Sequence, residues 1–172
     1  MRLRFAPEYQ AILASLLEQL GVLVSGSGRT ETATPDDPFL AWSNELAGLE
    51  PMDRSDPAIE RLFPAAYRED WQAQAEFSRL TETDQRLQIV RNVQQVLDDL
   101  GAAKGDQVDV SELEPWIKAV NMLRLTLAVR LNVQTADDLD ALDLIEEPSP
   151  MAYLVRVMHW LGMLLETLVT KA

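Results

Sequence analysis

The segment from residue 114 to residue 133, EPWIKAVNMLRLTLAVRLNV, constrains the fold more than any other part of the chain. At about 100° per residue in a helix, its apolar side chains form two stripes on nearly opposite sides. One stripe contains Trp116, Val120, Leu123, Leu127 and Leu131, and the other contains Met122, Leu125, Val129 and Val133. A helix that is apolar on two sides needs packing partners on both, so we expect a central helix over residues 115–132.

Polar residues occupy the two seams between these stripes. Asn121 and Arg124 lie in one seam, and Arg130 lies in the other. Burying an unpaired guanidinium is costly, so each arginine should reach water or meet a carboxylate. One interpretation pairs the arginines with acids of the middle segment, such as Asp70, Glu69 or Glu76. The other makes the seam a pocket for an anion or small ligand, with the candidate binding residues Asn121, Arg124, Arg130, Tyr67 and Asp70.

Length and charge narrow the class of protein. The chain has 172 residues, of which 47% are hydrophobic, and this suits a single helical domain over residues 1–172. Its net charge is −13, and its lysines are scattered singly at Lys104, Lys118 and Lys171. Nucleic-acid affinity depends on clustered Lys and Arg, so we expect no nucleic-acid partner.

The residue types needed for most catalytic and metal chemistry are scarce. The chain has no cysteine and one histidine, His159, so disulfides, thiol nucleophiles and the usual zinc sites are excluded. An all-oxygen metal site would have to use the acidic run from residue 137 to residue 147. That run lacks the glycine that an EF-hand loop requires. We therefore expect no metal, no cofactor and no enzymatic activity.

The apolar segments favour a soluble protein. The N-terminal sequence MRLRFAPEYQ lacks the apolar run of a signal peptide. The most apolar segment, residues 151–169, is interrupted by Arg156, His159 and Glu166, which is typical of a core helix rather than a membrane span. We expect a cytoplasmic protein without membrane contact.

The remaining segments predict further helices and two loops. Residues 8–24 form an amphipathic helix, followed by a polar, flexible loop at residues 25–37. Asp37-Pro38 and Asp56-Pro57 each resemble a helix cap and first turn. A short helical piece anchored by Tyr67, Trp71 and Phe77 precedes a separate helix, which is capped by Thr81 or Thr83, carries Asp99 on its outer side and runs to Leu100.

Two short stretches alternate in the manner of strands. Residues 2–5 read R-L-R-F, and residues 108–110 read V-D-V, so they could pair as a small two-stranded ribbon leaning on the helices. Residues 135–148 form an acidic loop or a short helix, and the last helix opens at Ser149-Pro150. The predicted fold is therefore an all-α, single-domain helical bundle around the helix at 115–132.

Three stretches carry a resemblance to a known family. They are DPAIERLFPAAYRED followed by EFSRLT (residues 56–81), WIKAVNMLRLTLAVRL (116–131) and YLVRVMHWLGMLLETLV (153–169). In this order they resemble an uncharacterised actinobacterial domain family whose genes often lie beside the gene for the ClpS adaptor. The family usually has an acidic residue after the asparagine, where this chain has Met122. The resemblance implies no established activity; some members are labelled transcriptional regulators, and the gene neighbourhood implies a link to regulated Clp proteolysis.

The absence of a catalytic motif and the wide apolar arcs predict a non-enzymatic protein that binds another protein or forms a homodimer. Two alternatives remain open at this point. One is a small-molecule or anion-binding domain with a pocket at Asn121, Arg124 and Arg130. The other is a transcriptional regulator, which would need a basic face despite the charge of −13.

Overall fold

The computed structural model describes residues 1–26, 39, 44, 46–142, 144–145 and 149–172. Within these ranges the chain forms two short strands and six helices, which confirms a mainly-α fold with a small ribbon. The elements are β1 (Arg2–Arg4), α1 (Pro7–Ser25), α2 (Pro57–Leu62), α3 (Trp71–Gly101), β2 (Gln107–Asp109), α4 (Leu113–Arg130), α5 (Ala136–Leu142) and α6 (Pro150–Lys171).

Helix α4 is the predicted central helix, beginning and ending two residues earlier than expected. It contacts α1, α2, α3 and α6. All five residues of its first apolar stripe, from Trp116 to Leu131, are buried, while Met122, Leu125 and Val133 of the second stripe are partly buried against the same core. The two-sided apolar pattern therefore identified a helix with neighbours on several sides.

The C-terminal end of α4 is closed by a left-handed residue. Asn132 has a φ of 55°, and its N–H donates to the carbonyl of Val129 at 3.0 Å. The N–H of Val133 donates to the carbonyl of Ala128 at 2.8 Å, which completes a Schellman motif. This closure ends α4 directly after Arg130.

The predicted ribbon pairs β1 with β2 in antiparallel register, with Leu3 opposite Val108. The ladder extends at both ends, where Val110 donates its N–H to Met1 and Phe5 donates its N–H to Asp106, at 2.7 Å and 3.0 Å. Leu3 and Val108 are buried, so the ribbon closes one side of the helical core.

The expectation of two separate helices in the middle segment is wrong. A single helix, α3, runs for 31 residues from Trp71, and its N-cap is Asp70. Thr81 does not cap a new helix, because its hydroxyl bonds back to the carbonyl of Phe77 at 2.8 Å within the continuous helix. Trp71 is 77% exposed and does not anchor the core.

The predicted outward position of Asp99 is also wrong. The buried face of α3 includes Ile89, Val93, Val96 and Leu100, and Asp99 lies beside it with only 8% of its surface exposed. The carboxylate accepts hydrogen bonds from the indole of Trp116 at 2.7 Å and from the backbone N–H of Ser111 at 3.0 Å. These bonds replace water and allow a charged group on an inner face.

Two predicted segments fall wholly or largely outside the described residues. Ser25 ends α1 and Gly26 caps it, but the predicted loop at 25–37 lies outside from residue 27 onward, as does most of the predicted helix from residue 38 to residue 46. In the acidic segment, α5 begins with a reciprocal cap. Asp138 accepts from the N–H of Thr135 at 2.8 Å, and Thr135 accepts from the N–H of Asp138 at 3.2 Å.

Helix α6 is the one described helix that is long and apolar enough to cross a membrane by length and composition. The core helices of soluble proteins meet the same criteria. In this fold the side chains of Val155, Leu161, Leu164 and Leu168 are buried, and α6 lies against α4.

Candidate functional site

The structure does not bring the three seam residues of α4 together. Asn121 is half-buried, and Arg124 faces α6, where its Nε lies 3.8 Å from the position that a Cβ on Gly162 would occupy. That nitrogen is buried and has no hydrogen-bond partner in the described part of the chain. Arg130 is exposed in the last turn of α4 and lines a cavity. Of these three residues, Arg130 alone lines the cavity.

Arg130 meets a carboxylate, but not one of the expected acids. Its Nη2 donates to Oδ2 of Asp56 at 2.6 Å. Asp70 instead caps α3, accepting from the N–H groups of Gln72 and Ala73 at 3.1 Å and 3.0 Å. The ring of Tyr67 packs edge-on against Phe77 with centroids 6.1 Å apart. Tyr67 and Asp70 therefore organise the start of α3.

Asp56 has two partners at once. Its Oδ1 accepts the N–H of Ala58 at 2.8 Å, so it caps α2, while its Oδ2 holds Arg130. Burial alone would raise the pKa of Asp56, but the hydrogen bonds from Arg130 and Ala58 outweigh this effect and hold the pKa below its ordinary value of 3.8. The side chain therefore remains a carboxylate at neutral pH and ties α2 to the end of α4.

The cavity beside this ion pair has a volume of about 570 Å³ and lies between α1, α4 and the segment from Asp53 to Asp56. Most of its wall is apolar, formed by Leu16, Leu20, Leu23, Leu123, Leu127 and Leu154. Its polar groups include Thr126, Gln19 and the side chains of Asp53, Asp56 and Arg130. A mostly apolar wall with a few polar groups is the usual composition of a small-ligand pocket.

Replacing Asp56 with asparagine is expected to reduce stability at neutral pH by about 1 kcal/mol, because it removes the ion pair with Arg130 and the negative charge at the N-terminus of α2. Because the folded pKa is lowered, this advantage is fully present above the ordinary pKa of 3.8 and disappears as the pH falls through the lower folded value. Urea unfolding at pH 7 and at progressively lower pH measures the difference between the two proteins. A difference that stayed constant down to pH 2 would contradict the assignment.

A buried arginine that the sequence reasoning missed lies at the C-terminal end of α1. Arg86 on α3 is fully buried, and it donates to the carbonyls of Val24 at 2.8 Å and Ser25 at 3.0 Å, and to that of Glu50. These acceptors include the last carbonyls of a helix, which have no partner within it. Arg86 therefore joins α3 to the end of α1 and to the chain near residue 50.

Gly26 completes this junction. Its φ is 81°, and a Cβ at this position would lie 2.5 Å from the carbonyl oxygen of Glu50.

Burial lowers the pKa of Arg86 to about 10, although the nearby charge of Glu82 opposes the shift. The guanidinium is therefore still protonated at neutral pH. The detectable signal was an arginine at helical spacing from Ile89, Val93 and Leu100, on what proved to be the buried face.

The described residues contain no group of three or more His, Cys, Asp or Glu side chains placed to hold a metal ion. His159 is exposed on α6. The expectation that the protein has no metal, cofactor or catalytic activity stays a prediction. What the described site offers is an apolar cavity with an ion pair at its edge.

Comparison with known proteins places this fold in a family. A Mycobacterium leprae (strain TN) protein named "Putative oxidative stress regulator AosR" is 28% identical over 182 residues, covering 95% of this chain and 82% of that protein. No solved structure matches the chain. The family model described as "Domain of unknown function (DUF2017)" matches residues 1–172, which confirms the predicted resemblance to an uncharacterised family. The chain therefore belongs to the DUF2017 family.

Proposed function

We propose that this protein is not an enzyme and acts in regulation by binding another protein. The observation that carries this proposal is the N-terminal part of α3. From Trp71 to Thr81 the helix contains no buried residue, and the first buried side chain is that of Glu82. Trp71 is 77% exposed and Leu80 is 67% exposed. Tryptophan is among the residues enriched at the energetic centres of protein interfaces, and Trp71 lies where the helix buries no side chain.

The name of the M. leprae relative supports a regulatory role. The amino-acid composition of this chain narrows the ways in which it could regulate. This chain has no cysteine, so it cannot sense an oxidant through a thiol or a disulfide. Its net charge of −13 disfavours direct contact with DNA. Regulation by this chain would therefore act through a protein partner. The family's gene neighbourhood with the ClpS adaptor makes regulated Clp proteolysis the process that we propose.

Replacing Trp71 with alanine is expected to abolish retention of that partner. The tagged protein would be used to capture partners from extract of its own cells, with chemical cross-linking and mass spectrometry as the readout. Because Trp71 is largely exposed, the melting temperature should change little, and Leu144→Ala, at a residue 82% exposed elsewhere, is the matched control. A wild-type protein that stays monomeric on sizing and retains nothing from the extract would refute the proposal.

The cavity of about 570 Å³ favours a second candidate function, the binding of a small apolar ligand. An anion fits this cavity poorly, because Asp53 and Asp56 outnumber Arg130 among the charged residues lining it. Mass spectrometry under native conditions distinguishes the two functions. A small molecule that remains bound through purification, and is lost when Leu127→Trp fills the cavity, would favour this candidate.

A further inference from the structure

The groove between β1 and α6 is a second candidate binding surface, and it is lined by apolar and basic residues. Its volume is about 340 Å³, and one wall is the continuous stretch Met1 to Phe5. The other wall is one face of α6, since its residues follow helical spacing: Trp160, Met163, Leu164, Thr167 and Lys171. From Trp160 to Lys171 this wall is about 16 Å long at 1.5 Å per residue. Five extended residues have a similar length at about 3.3 Å each.

The backbone of β1 presents an open edge. The bonds that join Met1 to Val110 and Phe5 to Asp106 show that odd-numbered residues of β1 pair with β2. In an antiparallel ladder the alternate residues point the other way, so the N–H and C=O groups of Arg2 and Arg4 face away from β2. No described strand covers this edge, because the sheet has two strands in the order β1-β2. Such an edge is a template for a further strand.

The charge of the groove is opposite to that of the whole protein. Arg2, Arg4 and Lys171 line it, and none of the described residues lining it is acidic, although the net charge of the chain is −13. Arg2 already donates to Asp109 at 2.7 Å. Arg4 and Lys171 form no ion pair within the described part of the chain.

The apolar part of the groove contains Trp160, whose ring is fixed by contacts with two other aromatic side chains. Trp160 packs against Phe5 with ring centroids 5.7 Å apart and against Tyr9 with centroids 5.0 Å apart. Next to it, Met163 is 61% exposed. The groove thus combines a packed aromatic ring, Trp160, an exposed apolar side chain, Met163, and a basic rim formed by Arg2, Arg4 and Lys171.

We propose that this groove binds an extended, acidic segment of a partner protein, which adds to β1 as a third strand. Along such a strand, acidic residues two positions apart lie beside Arg2 and Arg4, and the residues between them face Trp160 and Met163. The recognised sequence therefore alternates acidic and apolar residues. This inference rests on the proposed protein-binding function but uses a surface separate from Trp71.

The test uses the full chain and the probe fluorescein-Glu-Val-Asp-Val-Glu-Val-amide, labelled at its N-terminus, with binding followed by fluorescence anisotropy. Arg4→Ala removes one charge from the rim, while Arg4→Pro removes the same charge together with the outward N–H. The ribbon itself survives in both, since that N–H does not bond to β2. We expect saturable binding to the wild type, weaker binding to Arg4→Ala, and binding to Arg4→Pro about tenfold weaker again.

The controls separate the causes of a loss. Arg91→Ala, at an exposed position on α3, should bind as the wild type does, and melting temperatures should show that every variant is folded. Equal affinities of Arg4→Ala and Arg4→Pro, or equal binding of a peptide with lysine at each acidic position, would overturn the inference. So would a dimer that Arg4→Pro dissociates, because a second copy would then occupy the edge. Trp71→Ala should bind the probe normally, so failure of either proposal leaves the other to be judged alone.

Discussion

Replacing Arg86 with alanine is expected to destabilise the protein by about 3–5 kcal/mol, the range for removing one partner of a buried charged network. The guanidinium is fully buried and donates to three carbonyl groups, two of them at the end of α1. Its loss removes a donor from all three acceptors, of which, within the described residues, only the Ser25 carbonyl keeps a second bond, from the N–H of Glu50 at 2.8 Å. It also removes a positive charge from beside Glu82, which is itself buried. Few single substitutions combine both effects.

Urea unfolding followed by far-ultraviolet circular dichroism measures this loss. Arg91→Ala is the matched control, because the residue is on the same helix but exposed, and its effect should stay within about 0.5 kcal/mol. Arg86→Lys should fall between the two, since a lysine keeps the charge but cannot reproduce the planar set of donors. If Arg86→Ala unfolded at the same urea concentration as Arg91→Ala, the junction would not hold α1 to α3.

Replacing Trp116 with alanine is expected to cost about 3–5 kcal/mol, as for other buried aromatic side chains. Trp116 is fully buried near the start of the central helix. Its indole N–H also donates to Asp99 at 2.7 Å, so the substitution opens a cavity and removes a donor from a buried carboxylate. The connection between α3 and α4 depends on both contributions.

Trp116→Phe separates these contributions, because it keeps most of the ring and loses the N–H. Its expected cost is about 1–3 kcal/mol, the penalty for leaving a buried acceptor short of a partner. Trp71→Ala provides the comparison at an exposed tryptophan and should change the unfolding free energy by less than about 0.5 kcal/mol. Similar losses at both tryptophans would show that burial does not decide the effect.

The parts of the fold that were predictable depend on local periodicity. The stripe from Trp116 to Leu131 has regular helical spacing and no polar interruption, so its burial followed from the spacing alone. Strict alternation marked residues 2–5 and 108–110 in the same way. The pairing itself depended on there being two such stretches of similar length.

Periodicity failed where a polar residue belongs to the core. Arg86 and Asp99 look like surface residues in the sequence, and they are buried because distant groups satisfy them: the carbonyls at residues 24, 25 and 50 for one, and Trp116 and Ser111 for the other. The spacing within α3 did not show that its buried face includes Ile89 and Val96, because this depends on the packing of α3 against α1 and α4. Its start at Trp71 was missed because threonines that resemble caps lie within the helix.

For the candidate site, the sequence indicated what kind of group Arg130 would meet but not which residue supplies it. The cost of burying a lone guanidinium implied water or an acid for each arginine of α4. Arg130 meets an acid, whereas the Nε of Arg124 is buried without a partner in the described part of the chain. Choosing Asp56 over Asp70 needed the packing of α2 on α4, which no spacing within α4 contains. Helical spacing places Arg124 and Arg130 in different seams, but it does not show which seam faces α6 and which lines the cavity.

The length of α3 has a consequence for how the molecule opens in solution. The helix extends for about 46 Å at 1.5 Å per residue, but buried side chains begin only at Glu82. Backbone amides before that point can exchange their hydrogens through fraying of the helix end, whereas those around Val93 and Val96 exchange only when the whole core unfolds. One continuous helix therefore spans two levels of protection, and its most loosely held part is the one that carries Trp71.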